Sequence, residues 1–439
     1  MLAAKSARQM KSTLAPVASL LLGVGFLISG HGLQLTLIPL RAAADGWSEF
    51  QIGAVGSAYY IGFVAGCFGA PFVILRAGHI RAFTAMVSLT AATMVAHPLW
   101  VAFLPWFIFR LIVGASLAGL YMIIESWLND RATNATRGLI MSAYIVVNFV
   151  AITIGQLTVT LYSPAEFSLF AIATMAIAIA AIPVALTRSA QPAPITLVRF
   201  RPAALYRSSP VGVVGVTLIG VANGSFWSLA AVSAVGAGLT AAEAAIFMSI
   251  ATTGGALTQW PVGRLSDRVD RRIVLMSLLA VAALVGLALA FLPLSHGGLY
   301  FLALLFGMAT LPTYSIAAAH AYDHAAPGTY VETAAGILLT NASGAIVGPL
   351  LAATLMEQAG TSTLFLFTAI AQASLAVFAF TRIARRAAPA TADKTEFDLA
   401  ATAPLGGVMS PEPLDPNDPN VATPADADVV PGDKGSAAG

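Results

Sequence analysis

Arg110 and Glu125 are the two charged residues set inside otherwise apolar stretches of this 439-residue chain. An ionisable side chain facing lipid costs several kcal/mol, so such groups face a cavity, a partner or the end of a span. Fifteen positions separate the two. At about 1.5 Å per helical residue they stand more than roughly 20 Å apart and cannot pair. Arg110 falls near one end of its stretch, where it either snorkels to the membrane interface or serves solute or proton coupling. Glu125 falls near the other end and reads either as an anchor or as a proton site.

His31 lies mid-stretch, three residues before Gln34, so the two share one side of a helix. A buried imidazole is either a satisfied hydrogen-bonding group or, with its near-neutral titration, a proton carrier. Asn148 and Asn341 offer amides that would recognise a polar solute or join packed helices. Tyr144, Trp227 and Tyr314, with Tyr59 and Tyr60, supply rings that would stack on a planar ligand or simply pack. Gln259 beside Trp260 reads the same way. Gly62/Gly66 and Gly344/Gly348 have the spacing of close helix packing.

Other chemistry is missing from the sequence. No glycine-rich loop ending in Gly-Lys-Ser/Thr is present, so nothing points to ATP drive. No paired carboxylates, nucleophile arrangement or metal cluster suggests an enzyme, and no cofactor is expected. Cys67 stands alone and cannot form an internal disulfide. A net charge of +2 gives no reason to expect nucleic acid.

The elements that position these groups follow from composition. The chain is 58% hydrophobic and 10% charged, with a mean hydropathy of +0.83. Soluble domains are about a quarter charged, so this is a membrane protein. Runs such as Phe170 to Leu186 are apolar throughout rather than alternating, which selects helices over barrel strands. Gly, Pro and charge divide the chain into twelve spans beginning near Leu14, Ile52, Ala82, Trp106, Gly138, Phe167, Val211, Ala241, Ile273, Leu299, Thr333 and Leu364. The run from Leu14 is too long for a signal-peptide core and is expected to remain as the first span. Of the 22 Lys and Arg, twenty fall in segments on one side and only Arg41 in a loop on the other. That asymmetry places both termini in the cytoplasm of an inner-membrane, multi-pass protein.

A basic stretch near the middle separates two similar halves. At an offset of 193, Gly114, Tyr121, Ile123, Asp130, Asn148 and Gly155 coincide with Gly307, Tyr314, Ile316, Asp323, Asn341 and Gly348. At an offset of 192, Ser48-x-x-Gln51 coincides with Thr240-x-x-Glu243, and Gly62 and Arg76 with Gly254 and Arg268. Ser/Thr followed three residues on by Gln/Glu is a helix-start signal, so spans two and eight start equivalently. The expected organisation is all-α, with twelve transmembrane helices in two pseudo-symmetric six-helix halves at 1–186 and 211–386. A basic linker at 187–210 joins them. The segment 387–439 is rich in Pro, Ala and Asp without periodicity, and is expected to be a disordered acidic tail.

The loop between spans eight and nine, "GRLSDRVDRR" from Gly263 to Arg272, holds six of the chain's charges in ten positions. Arginines alone would serve topology; Asp267 and Asp270 would not. Gly-x-x-x-Asp-Arg-x-x-Arg-Arg resembles the loop signature of the major facilitator superfamily. A worn copy, "GAPFVILRAGHIR" (Gly69 to Arg81), sits between spans two and three with Leu75 in the acid's place. "RLIVGAS" from Arg110 resembles the family's fourth-span signature. "GAIVGP" (Gly344 to Pro349) resembles a drug-antiporter motif, but span five carries "AITIGQ" (Ala151 to Gln156) instead. "TQWPVGRLSDR" and "YMIIESW" (Tyr121 to Trp127) resemble the YcaD-type bacterial members, near a group that includes riboflavin importers.

That resemblance implies a monomeric secondary transporter with its site near mid-membrane, rocking one half on the other. The expected solute is small, organic and largely uncharged, with import of a vitamin-like heteroaromatic such as riboflavin as the specific expectation and protons as the coupling ion. Drug or sugar efflux by proton antiport is the alternative, and a non-transporting sensor or assembly factor the alternative class. His31, Gln34, Tyr144, Asn148, Trp227, Tyr314 and Asn341 are the expected solute contacts, and Arg110 and Glu125 the coupling residues. The resemblance also makes Asp267 and Arg268, with Arg131 and Arg137, a latch closing the cytoplasmic side.

Overall fold

The hydroxyl of Ser48 accepts from the backbone N–H of Gln51 at 3.3 Å, and the Gln51 side chain accepts from the Ser48 N–H at 3.1 Å. Thr240 and Glu243 form the same reciprocal pair, with a 2.8 Å bond from the Thr240 N–H to the Glu243 carboxylate. Both capping boxes start long helices where the sequence placed them. The computed structural model describes residues 13–133, 136–186, 202–326 and 329–383. The tail from 387 and most of the linker, 187–201, lie outside the described residues.

The long helices are α1 (Ala18–Ala44), α2 (Glu49–Ala77), α3 (His79–Ala96), α4 (Phe103–Arg131), α5 (Arg137–Thr158) and α6 (Phe167–Ile179, continued by Ala181–Ala185). After the short helix Pro202–Ser208 come α7 (Pro210–Gly236), α8 (Ala241–Arg268), α9 (Arg271–Phe291), α10 (His296–Tyr322), α11 (Tyr330–Ala359) and α12 (Thr363–Ile383). Each begins within four residues of its expected start. Among the described residues there is no strand.

Eleven of these helices are long and apolar enough to cross a membrane by length and composition. The exception is α8. At 28 residues it is long enough, but it carries Thr252, Thr253, Thr258 and Gln259 and so falls short in apolarity. Of these, Thr252 and Gln259 are buried, Thr258 is half-buried and Thr253 is exposed. The outer surface is the reverse of a soluble protein's, with Phe72, Leu104, Leu284 and Phe380 each more than 60% exposed.

Helix pairing repeats with a step of six. In the first half α1 packs on α5 and α2 on α4; in the second α7 packs on α11 and α8 on α10. Glycines make these approaches close. A Cβ at Gly114 would strike the Tyr59 carbonyl, and one at Gly307 would strike the Ala251 carbonyl, 192 positions later. Gly155 and Gly348 meet Ser29 and Val221 in the same way, and Gly62 and Gly254 meet Leu111 and Leu304. The sequence repeat is therefore a repeat of contacts. Between the halves, α2 meets α11 and α5 meets α8, again an equivalent pair.

Candidate functional site

Between the two sets of helices lies a cavity of about 170 Å³. Its walls come from α1 (His31, Leu35), α2 (Tyr59, Tyr60, Phe63), α4 (Tyr121) and α5 (Asn148, Phe149, Ile152). From the other half come α7 (Asn223, Trp227), α8 (Thr252, Gln259), α10 (Leu311, Tyr314) and α11 (Leu338, Asn341). The lining is mainly aromatic and aliphatic with a few amides, the make-up of a site that holds an organic molecule by stacking and orients it by hydrogen bonds.

Asn148 and Asn341 both stand eleven residues after their helix starts, so the repeat brings them to matching depth. Their bonds differ. Asn148 Nδ2 donates to the Tyr144 carbonyl one turn back at 2.8 Å, which leaves its buried Oδ1 without a partner. Asn341 Nδ2 donates to the Val216 carbonyl on α7 at 2.9 Å, beside Gly220, so this amide also ties two helices together. Asn223, which was not among the expected contacts, lines the cavity with its Oδ1 unpartnered. The signal was there: a lone amide one helical turn before Trp227 in an apolar span. Gln259 Nε2 donates to the Ser315 hydroxyl on α10, and the Thr252 hydroxyl donates to Gln156 Oε1 on α5 at 3.0 Å.

His31, Trp227 and Tyr314 line the cavity as expected. Gln34 and Tyr144 do not. Gln34 is fully buried against α3, its Nε2 3.5 Å from Met94 Sδ. Three residues turn a helix by about 300°, so Gln34 sits some 60° from His31, enough at the cavity's edge to face it elsewhere. Tyr144 is buried one turn before Asn148 and interacts with Asn148 and Glu125. Glu125 is buried too, within electrostatic reach of Tyr121, Tyr144 and Tyr314. Arg110 is 5% exposed and does not snorkel: its guanidinium lies 4.7 Å over the ring of Tyr59, which stacks on His31 at 5.6 Å.

Residues 20–344 match the family described as Major Facilitator Superfamily. The chain belongs to the major facilitator superfamily. As a member it is a multi-pass membrane transporter of small-molecule solutes. It is 28% identical over 362 residues, 82% of its own length and 94% of the relative's, to the uncharacterized MFS-type transporter YcaD of Escherichia coli (strain K12 / DH10B), and equally to that of Shigella flexneri. Solved structures share the fold. A mutant of the nucleoside transporter NupG superposes with a TM-score of 0.73 at 16% identity, covering 83% of this chain and 99% of that one. A bacterial homologue of the human lysosomal transporter Spinster, in an inward-facing and unoccupied conformation, gives 0.69 at 14%, covering 86% and 99%.

The superfamily's charged loop is folded into a set of ion pairs. Asp270 caps α9, accepting from the Arg272 backbone N–H at 2.9 Å and from Arg272 Nη2 at 2.7 Å. Arg271, 1% exposed, pairs with Asp323 at the end of α10 at 2.9 Å and with Asp267 at 3.4 Å. Of the expected latch residues, Asp267 lies 3.4 Å from Arg271, and Arg131 lies 3.7 Å from its neighbour Asp130. Burial raises the Asp270 carboxyl, but the side-chain, backbone and charge interactions of Arg272 and the charge of His320 together bring it below its ordinary 3.8. Arg271 and Arg272 stood out in the sequence as the end of the loop signature and Asp323 as the repeat of Asp130, but no pairing between the loop and Asp323 was expected. Asp323 lies more than fifty residues from the arginine it holds.

Proposed function

We propose that this superfamily member imports a small planar organic solute across the inner membrane by alternating access, with the solute held in the cavity between the two halves. The observation that carries the reading is the cavity's composition: Asn148 of α5 and Trp227 of α7 face one space from opposite halves, joined by Tyr314 and Asn341. A solute that touches both halves is released when they rock apart, which is how a mid-membrane site serves both sides. The halves are 1–186 and 211–386, joined by the linker 187–210.

The face with the charged loop is cytoplasmic, because twenty of the 22 Lys and Arg lie on that side. Cross-half contacts cluster towards the other face: Ser57 donates to the Ile346 carbonyl at 2.7 Å, and Gly53 and Gly56 pack on Ala353 and Ser228. That pattern supports an inward-facing state. In the outward-facing state Asp267 would leave Arg271 for Arg131 or Arg137 at the start of α5. Protons are the coupling ion, with Glu125 beneath the cavity as the group that takes them up. A vitamin-like heteroaromatic, of which riboflavin is the example the YcaD-type resemblance suggests, suits the aromatic lining.

The test is growth of a riboflavin-requiring strain carrying the gene, together with uptake of labelled planar solutes into vesicles with and without a pH gradient. Asn148→Ala and Trp227→Ala should weaken apparent affinity about five- to hundredfold, the loss expected when a buried polar group goes unmatched, at unchanged protein level. Unaltered affinity with a lowered melting temperature would assign both residues to packing and end the reading.

A further inference from the structure

We propose that the transported solute carries a carboxylate and that Arg110 receives it. This rests on the reading of the central cavity as the solute site. Arg110 is 5% exposed, and its Nε and Nη1 are buried without a hydrogen-bond partner. Among the described residues no carboxylate forms an ion pair with it. Among the described residues the other buried arginines are treated differently: Arg271 has Asp323 and Asp267, and Arg272 has Asp270. Burying a cation is costly unless it is paired, and a ring beneath it offsets only part of that cost. Its neighbours within electrostatic reach, Tyr59, Tyr60, His31 and His97, supply no formal negative charge.

The place for an anion is beside it. A crevice of about 20 Å³ is lined by Arg110, Tyr59, Tyr60, Trp227, Leu35 and Ser228. It shares Leu35, Tyr59, Tyr60 and Trp227 with the large cavity. The crevice has room for a water-sized group, too little for a whole solute and better suited to a carboxylate than to a phosphoryl group. A planar body would then lie in the large cavity among the rings while its carboxylate met the guanidinium, whose planar fork matches two carboxylate oxygens. The sequence-based expectation of a largely uncharged solute is changed accordingly, and riboflavin, which has no carboxylate, gives way to a planar carboxylic acid as the example. Arg110 thereby becomes a specificity-determining contact.

The test uses the full-length protein in lipid nanodiscs and three matched acid–amide pairs: benzoate and benzamide, nicotinate and nicotinamide, indole-3-acetate and indole-3-acetamide. Melting temperature and titration calorimetry at constant ionic strength are the readouts. At least one acid should bind tenfold or more tightly than its amide, and Arg110→Gln should abolish that preference. Without any solute, Arg110→Gln should melt at or above the wild-type temperature, because it removes an unpaired charge. Acid and amide binding equally, both weakened by Trp227→Ala, would end the carboxylate assignment and leave the cavity as the solute site. Failure of every pair to bind would end both. A preference that survives Arg110→Gln, or a marked fall in that variant's solute-free melting temperature, overturns the role of Arg110.

Discussion

The Thr252 hydroxyl on α8 shares its one proton between the Met248 carbonyl a turn back at 2.9 Å and Gln156 Oε1 on α5 at 3.0 Å, and both Thr252 and Gln156 are buried, so a neutral side-chain hydrogen bond joins the two halves of the molecule. Such a bond contributes about 0.5–1.5 kcal/mol net. Thr252→Val removes the donor and keeps the shape. It should shift the balance between inward- and outward-facing states about two- to tenfold towards outward-facing. The check is the maleimide labelling rate of a cysteine placed at Ser228, in a Cys67→Ser background; an unchanged rate would show that this bond does not restrain the halves.

The Arg271–Asp323 pair is almost fully buried, at 1% and 2% side-chain exposure. Removing one partner of such a pair costs about 3–5 kcal/mol, a loss that Asp267 at 3.4 Å from Arg271 offsets in part, whereas replacing both by apolar groups is often neutral. Asp323→Asn should therefore lower the melting temperature strongly, and Arg271→Met with Asp323→Leu should recover most of it. Equal losses in the single and double variants would mean that the pair's worth lies in its charge.

Gly114 and Gly307 should fail alike. A Cβ at either meets a carbonyl oxygen of the neighbouring helix, so alanine forces the pair of helices apart at a cost of about 1–3 kcal/mol. Gly138 and Gly297 have open space at the same position and serve as controls. Folded yield and melting temperature of the four alanine variants read this directly; tolerance at 114 with failure at 307 would break the equivalence of the halves.

Asp270 gives stability a pH dependence of known sign. Its carboxyl titrates below the ordinary value in the folded protein, so its contribution is complete above 3.8 and is lost as pH falls through the lower folded value. The melting-temperature difference between wild type and Asp270→Asn should be constant from neutral pH to about 5 and shrink in stronger acid. A difference that grows on acidification would reverse the assignment.

Much of the fold was legible because its causes are local or periodic. Span positions follow from the length of apolar chain a bilayer demands, and the two capping boxes need only four residues each. The glycine repeat was readable as a pattern, and its offsets of 192 and 193 carry over to the carbonyls that each glycine meets. Half of the site was legible too. His31, Asn148, Trp227, Tyr314 and Asn341 were visible as polar or aromatic groups in apolar spans, and all of them line the cavity.

What the sequence by itself determined is the helix inventory, its inner repeat and the superfamily signature, since each depends on residue type and spacing along one chain. The tertiary structure decided which way each side chain turns. A rotation of some 60° separates cavity-lining His31 from Gln34 packed on α3. It also decided the partners of buried charge. Nothing along the chain tells that Arg271 meets Asp323 while Arg110 meets only rings, because pairing depends on which helices are brought together across more than fifty residues.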